Sequence, residues 1–192
     1  EVTTSFSTKT KSPIPTMNKF IIILSLLGLS YGSHLLEGSW VEDQYQRENL
    51  WNFMSSRGVN YLKMVFANAA SFELEQEISK EGNTFTFSGM RGPLNQYYSS
   101  KVVSDNVTRT DVDLGELGGL YYATCEFKEN SLVTYFRATD NQKDVIDDTI
   151  DVIEVIATNT VNPDTPDKMT YSLKDVASGE KLVQILYKHE TF

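Results

Sequence analysis

The stretch Glu48–Ala69, ENLWNFMSSRGVNYLKMVFANA, decides how the rest of the chain is read. Leu50, Phe53 and Met54 fall at i, i+3 and i+4 and give a first short helix one apolar face. Gly58 is a natural helix stop. Beyond it Val59, Leu62, Val65, Phe66 and Ala69 form a second apolar stripe. Helices shorter than about a dozen residues are not stable alone in water, so both must dock on something apolar.

What surrounds them reads as strand. Leu36–Gln46, with Gly38-Ser39-Trp40, opens the fold. From Phe72 the period changes to two: Phe72, Leu74 and Ile78 share one face, and Glu73, Glu75 and Glu77 the other. Glu81-Gly82-Asn83 turns the chain, and Phe85 and Phe87 continue the apolar face, which predicts a hairpin. Further strands are expected over Gln96–Val103, Val107–Leu114, Tyr121–Phe127, Leu132–Ala138, Thr149–Ala157, Met169–Lys174 and Leu182–Lys188. Turn residues separate them, and Asn159–Lys168, with two prolines, reads as a long exposed loop. About ten strands joined by turns rather than crossover helices predict an antiparallel meander, closed as a barrel or stacked as a sandwich.

The beginning of the chain has a different character. Residues 1–16 read as an upstream extension outside the fold. Residues 17–32, MNKFIIILSLLGLSYG, carry a lysine, an apolar run from Phe20 to Leu29, and small residues at Ser30 and Gly32. That run is about half of the roughly 20 residues needed to span a bilayer, so it reads as a secretory signal peptide. Residues 33–192 then form a single domain of 160 residues, 192 less 32, large enough to bury a core. Removing 1–32 takes away three lysines and one glutamate, so the formal charge falls from −9 to −11. An acidic surface of that size speaks against nucleic acid as a partner. Cys125 is the one cysteine, so a secreted domain must rely on packing rather than disulfides. Its setting in YYATCEF favours a small buried hydrophobe over a reactive thiol. Asn106-Val107-Thr108 is a glycosylation sequon, which implies surface exposure.

A GxW strand, then a helical pair, then a meander resembles the fatty-acid-binding-protein family of calycins. LEGSW looks like that family's opening strand, ENLWNFMSSRGV its first helix and turn, ISKEGNTFTF its second hairpin, and DVASGEKLVQILYKHE its last strand pair. The resemblance covers about Leu36–Glu190. It implies an all-β fold, a ten-stranded antiparallel up-and-down β-barrel capped by a short helix-turn-helix. It also implies a carrier of a fatty acid, retinoid or other small apolar ligand, gated by the helical lid and without cofactor or metal. The positions it would turn toward ligand are Leu50, Phe53, Met54, Val59, Lys63 and Ala67 on the lid, Leu94 in the GPLN turn, and Tyr187 on the last strand. Secretion, a monomeric state and transient membrane contact through the lid complete the expectation.

The chain departs from the family at the ligand carboxylate. The arginine that many members carry two residues before that tyrosine is Ile185 here, and no arginine stands in DTIDVIEVI. Lys63, Arg109 and Arg137 are the cations left to face inward, with Arg137 the candidate on the barrel wall. Catalysis finds no support. His34 and His189 lie near the two ends of residues 33–192, and GELGG lacks the lysine of a phosphate loop. The other readings are a secreted lipocalin-like barrel, or a closed β-barrel that acts through its surface.

Overall fold

Alternating side chains become ten antiparallel strands in a computed structural model that describes residues 34–69, 74–91, 96–113, 120–138 and 152–189. The first strand, β1 (Gly38–Glu42), leads through a 3-10 turn (Gln44–Gln46) into helices α1 (Leu50–Ser56) and α2 (Tyr61–Ala69). The meander follows as β2 (Glu75–Glu81), β3 (Thr84–Arg91), β4 (Gln96–Val103), β5 (Thr110–Asp113) and β6 (Leu120–Lys128). It ends with β7 (Ser131–Ala138), β8 (Ile153–Val161), β9 (Lys168–Asp175) and β10 (Lys181–His189). The expected leader, residues 1–32, lies outside the described residues.

Sheet order is β4-β3-β2-β1-β10-β9-β8-β7-β6-β5, so β1 closes on β10 and leaves β4 and β5 as edges. Those edges approach without pairing, and the sheet is a nearly closed barrel. An isolated bridge from Asp105 to Glu126 pins the β4–β5 connection onto β6. The Asp105 carboxylate accepts hydrogen bonds from the backbone N–H groups of Val107 (2.9 Å) and Thr108 (2.7 Å), which fixes that turn.

Directly opposed residues on paired strands share a face, so register sorts the wall into inside and outside. On β2 the glutamates 75, 77 and 81 are exposed, while Gln76 and Ile78 are buried opposite Trp40 and Gly38. The same face continues through Phe85 and Phe87 of β3, Ala123 and Cys125 of β6, Leu132 and Phe136 of β7, and Val155 of β8. Gly89 is required where β3 crosses β2. A Cβ there would come within 1.9 Å of the Glu75 carbonyl oxygen.

Several of the expected boundaries shift: β5, for one, starts at Thr110 rather than Val107, because the Asp105 carboxylate holds Val107 and Thr108 in a turn. β8 runs on to Val161, so Asn159 is a strand residue and the exposed loop begins at Asn162. Asn and Pro composition marks a loop, but pairing of Val155–Val161 with β9 holds the chain extended up to the first proline. The phase of α2 also differs. Asn60 caps it, with its side-chain oxygen accepting from Leu62 N–H at 2.9 Å, so Val59 falls before the helix. The face turned inward carries Met64, whereas Leu62 and Val65 are exposed.

Candidate functional site

The end of the barrel away from the helices is a packed apolar floor. Leu36, Trp40, Phe85, Val161, Met169 and Leu132 are fully buried there, and Trp40 Nε1–H donates to the Leu36 carbonyl at 2.9 Å. Lys80 and Lys188 lie over the ring faces of Phe85 and Trp40, with their ammonium groups 5.8 and 5.4 Å from the centroids.

Above the floor the wall turns polar. Gln184 of β10 stands opposite Tyr171 of β9, and Tyr171 stands opposite Asn159 of β8. Strands lie about 4.8 Å apart, so this row spans roughly 10 Å of inner wall. Leu186, Met169 and Val161 lie on its floor side and Leu182, Leu173 and Ala157 on its lid side, all buried. Gln184 is 8% exposed and Asn159 3%. The Asn159 amide donates to Met169 Sδ at 3.7 Å. On the far side of β1, the side-chain oxygen of Gln76 is buried and has no hydrogen-bond partner.

The lid is fastened at two places. Its near end is held by Asn49, whose amide donates to Glu180 Oε2 (2.7 Å) and to the Lys181 carbonyl (3.1 Å) at the β9–β10 turn. The second fastening is Arg57, in the turn between α1 and α2. Its guanidinium donates to Asp175 Oδ1 at 2.9 Å and Glu154 Oε2 at 3.0 Å, and to the Tyr121 hydroxyl. Tyr121 in turn donates to Glu154 at 3.2 Å. A β-bulge opposite Phe136 and Arg137 gives β8 an extra residue just where Glu154 joins this cluster. Burial opposes the Arg57 charge, but Asp175 and Glu154 more than offset it and hold its pKa above the ordinary value. Burial likewise pushes Asp175 up, and hydrogen bonds from Ser178 together with Arg57 overcome it, leaving that carboxyl below its usual range. A further arginine–carboxylate pair sits beside β1: Arg47 donates to both oxygens of buried Glu42, at 2.6 and 2.7 Å.

Against this geometry the residues expected at the site divide. Phe53 and Met54 are buried under α1, and Leu50 packs against the same core from a half-buried position. Val59 is half-buried in the turn. Lys63 is exposed on α2, because the inward phase belongs to Met64. Arg137 lies on the outer face opposite Tyr122, and donates to the Thr124 hydroxyl at 2.7 Å. Tyr187 is also on the outside, 38% exposed, with its hydroxyl accepting from the Gln46 amide at 3.0 Å. The cause is register: Tyr187 pairs with Val41, whereas the inward residues of β1 are Trp40 and Glu42. Ile185 shares the outer face, so the inner face of β10 is Leu182, Gln184 and Leu186. The side chain of Ala67, and Leu94, lie outside the described residues. Cys125 is buried on the inner face, where burial pushes its thiol up to about 11. Sequence reasoning missed Gln184 and Asn159. Composition places Asn159 in the loop before β9, and Gln184 lies on a strand whose inner face the resemblance gives to Tyr187.

The chain forms a ten-stranded antiparallel barrel capped at one end by a helical pair. Solved structures share it. The REP1-NXSQ fatty acid transporter superposes with a TM-score of 0.59 at 19% identity, over 82% of this chain and 98% of its own. A zebrafish ileal bile-acid-binding protein complexed with cholic acid gives 0.58 at 16%, over 81% and 99%. Fatty-acid-binding protein 1 of Echinococcus granulosus gives 0.59 at 8%, over 82% and 99%. No family profile matches the chain, and no curated protein matches it in sequence. The likeness is therefore one of fold: this chain has the fold of the fatty-acid-binding proteins.

Proposed function

We propose that this protein is a secreted, non-enzymatic carrier that holds a small apolar ligand inside the barrel, beneath the α1–α2 lid. The observation that carries the reading is the pairing of an apolar inner wall with a helical cap whose own apolar residues, Phe53 and Met54, face that wall. The fold neighbours named as a fatty acid transporter, a fatty-acid-binding protein and a bile-acid-binding protein support it. Burial of an acyl chain contributes about 0.8 kcal/mol per methylene, so a dozen methylenes give roughly 10 kcal/mol before the costs of association.

Exposed Trp51, Tyr61, Leu62 and Val65 on the outer face of the lid support transient contact with a membrane during ligand transfer. The apolar run at Phe20–Leu29 supports secretion, which N-terminal sequencing of the exported protein tests directly. Delipidated protein titrated with a fluorescent fatty acid or fatty alcohol, and native mass spectrometry of protein purified without delipidation, test the carrier reading. A stoichiometric, displaceable apolar ligand is expected. Its absence from both experiments would favour a closed barrel acting through its surface.

A further inference from the structure

We propose that the interior selects ligands with an uncharged hydrogen-bonding head group, such as a primary alcohol, over carboxylates of equal chain length, and that the Gln184–Tyr171–Asn159 row is the selecting element. This rests on the carrier reading above.

The argument begins with what a buried head group needs. A carboxylate offers acceptors alone and must be matched by cations or several donors when it leaves water. Along the row stand two neutral amides and a phenol, on neighbouring strands and on one face. Each amide offers both a donor and an acceptor, which suits a hydroxyl group that is itself both. For a carboxylate the two amide oxygens are repulsive dipole ends, and the donors beside them carry no charge to balance its own.

Among the described side chains, the arginines nearest the interior are already matched. Arg47 grips both oxygens of Glu42, and Arg57 divides itself between Asp175 and Glu154. Recruiting either to a ligand would strip a buried carboxylate of its partner, replacing one unpaired charge with another. Lys80 and Lys188 are drawn over aromatic rings at the floor, beyond Leu186 and Met169. Gln76, opposite Trp40 of β1, adds an orphaned side-chain oxygen, a further neutral acceptor on the inner wall.

A fatty acid entering such a wall binds best protonated, so its affinity should fall as the pH rises above the ordinary carboxyl range, by up to about tenfold per unit. Among the described residues, the other titratable groups facing inward are Glu42 with Arg47, Asp175 and Glu154 with Arg57, and Lys80 and Lys188. To these are added Cys125 and the tyrosines 98, 121 and 171. None is a histidine, the side chain that ordinarily titrates between pH 5 and 8, so pH dependence in that window reports the ligand.

The test measures dodecanol and dodecanoate binding to the delipidated chain by displacement of a neutral polarity-sensitive dye, at pH 5 and pH 8. Dodecanol should bind at least about tenfold tighter at pH 8, with the gap closing toward pH 5. Gln184→Arg should improve dodecanoate and weaken its pH dependence. Gln184→Leu, which preserves an apolar wall if the arginine disturbs folding, should reduce the alcohol's advantage over dodecanoate at pH 8. Dodecanoate binding as tightly as dodecanol at pH 8, or an unchanged preference in Gln184→Leu, overturns the selectivity. Failure of both ligands at both pH values overturns the carrier reading instead.

Discussion

Replacing Arg57 by methionine tests how the lid is held. The substitution keeps the length of the side chain and removes its charge, leaving Asp175 almost fully buried and Glu154 about one-third exposed. Removing one partner of a buried ion pair typically costs about 3–5 kcal/mol. Water reaches Glu154 and screens its share, and Ser178 still donates its backbone N–H to Asp175 at 2.9 Å, so about 2–3 kcal/mol is the expected loss. For a domain of this size about 2–4 °C of melting temperature accompanies each kcal/mol, which predicts a fall of about 5–10 °C. Asp175→Asn should cost less than Arg57→Met, and the double variant should lose less than the sum of the two. Thermal denaturation gives these values, and hydrogen exchange should show residues 50–69 losing protection before the barrel strands do. The pH profile carries a sign. Asp175 is depressed in the folded state, so its contribution is present above the unfolded value of about 3.9 and is lost as pH falls through the lower folded value. The stability gap between the natural chain and Asp175→Asn should therefore narrow below about pH 4. A melting temperature within about 2 °C of the natural chain for Arg57→Met, or strict additivity in the double variant, would refute this account of the latch.

Three further outcomes are expected. Arg47→Met leaves the Glu42 carboxylate buried without its bidentate partner and should lower stability by about 3 kcal/mol in urea denaturation. Gly89→Ala drives a methyl group into the Glu75 carbonyl, a backbone atom that cannot step aside, and should cost at least about 2 kcal/mol by the same measurement. Cys125, buried with its thiol pushed up to about 11, should resist a disulfide reagent at pH 8 in the native protein and react at once when the chain is denatured.

The strand order was readable because most strands wear one wet face. Glu75, Glu77 and Glu81 alternate with Gln76 and Ile78, and Phe85 and Phe87 answer them across the hairpin, so count, hairpin and direction follow from period two. β10 has no such contrast. Val183 and Ile185 sit on its outer face yet are half-buried, because the β1–α1 connection runs along them: Asp43 N–H donates to the Ile185 carbonyl and Glu48 bridges to Val183. With apolar residues on both faces, pairing with β1 alone fixes which side is in. The family likeness then places Tyr187 inside by analogy, and the register turns it out. Asn159 illustrates the opposite case, where local composition predicts a turn and the neighbouring strand overrides it. The phase of α2 was hidden for a third reason, since a helix this short presents apolar residues on more than one side and its cap decides which of them are covered.

The two tryptophans stand at opposite ends of the barrel. Trp40 is sealed in the floor, and Trp51 rides on the outer surface of the lid, 40% exposed, with Tyr61 edge-on at 5.5 Å. They are in effect two optical reporters built into the chain. Emission from a Trp51→Phe variant follows the packed floor of the barrel, and emission from a Trp40→Phe variant follows the helical pair. Time-resolved mixing with a candidate apolar ligand could therefore establish whether the helical pair responds before the floor does.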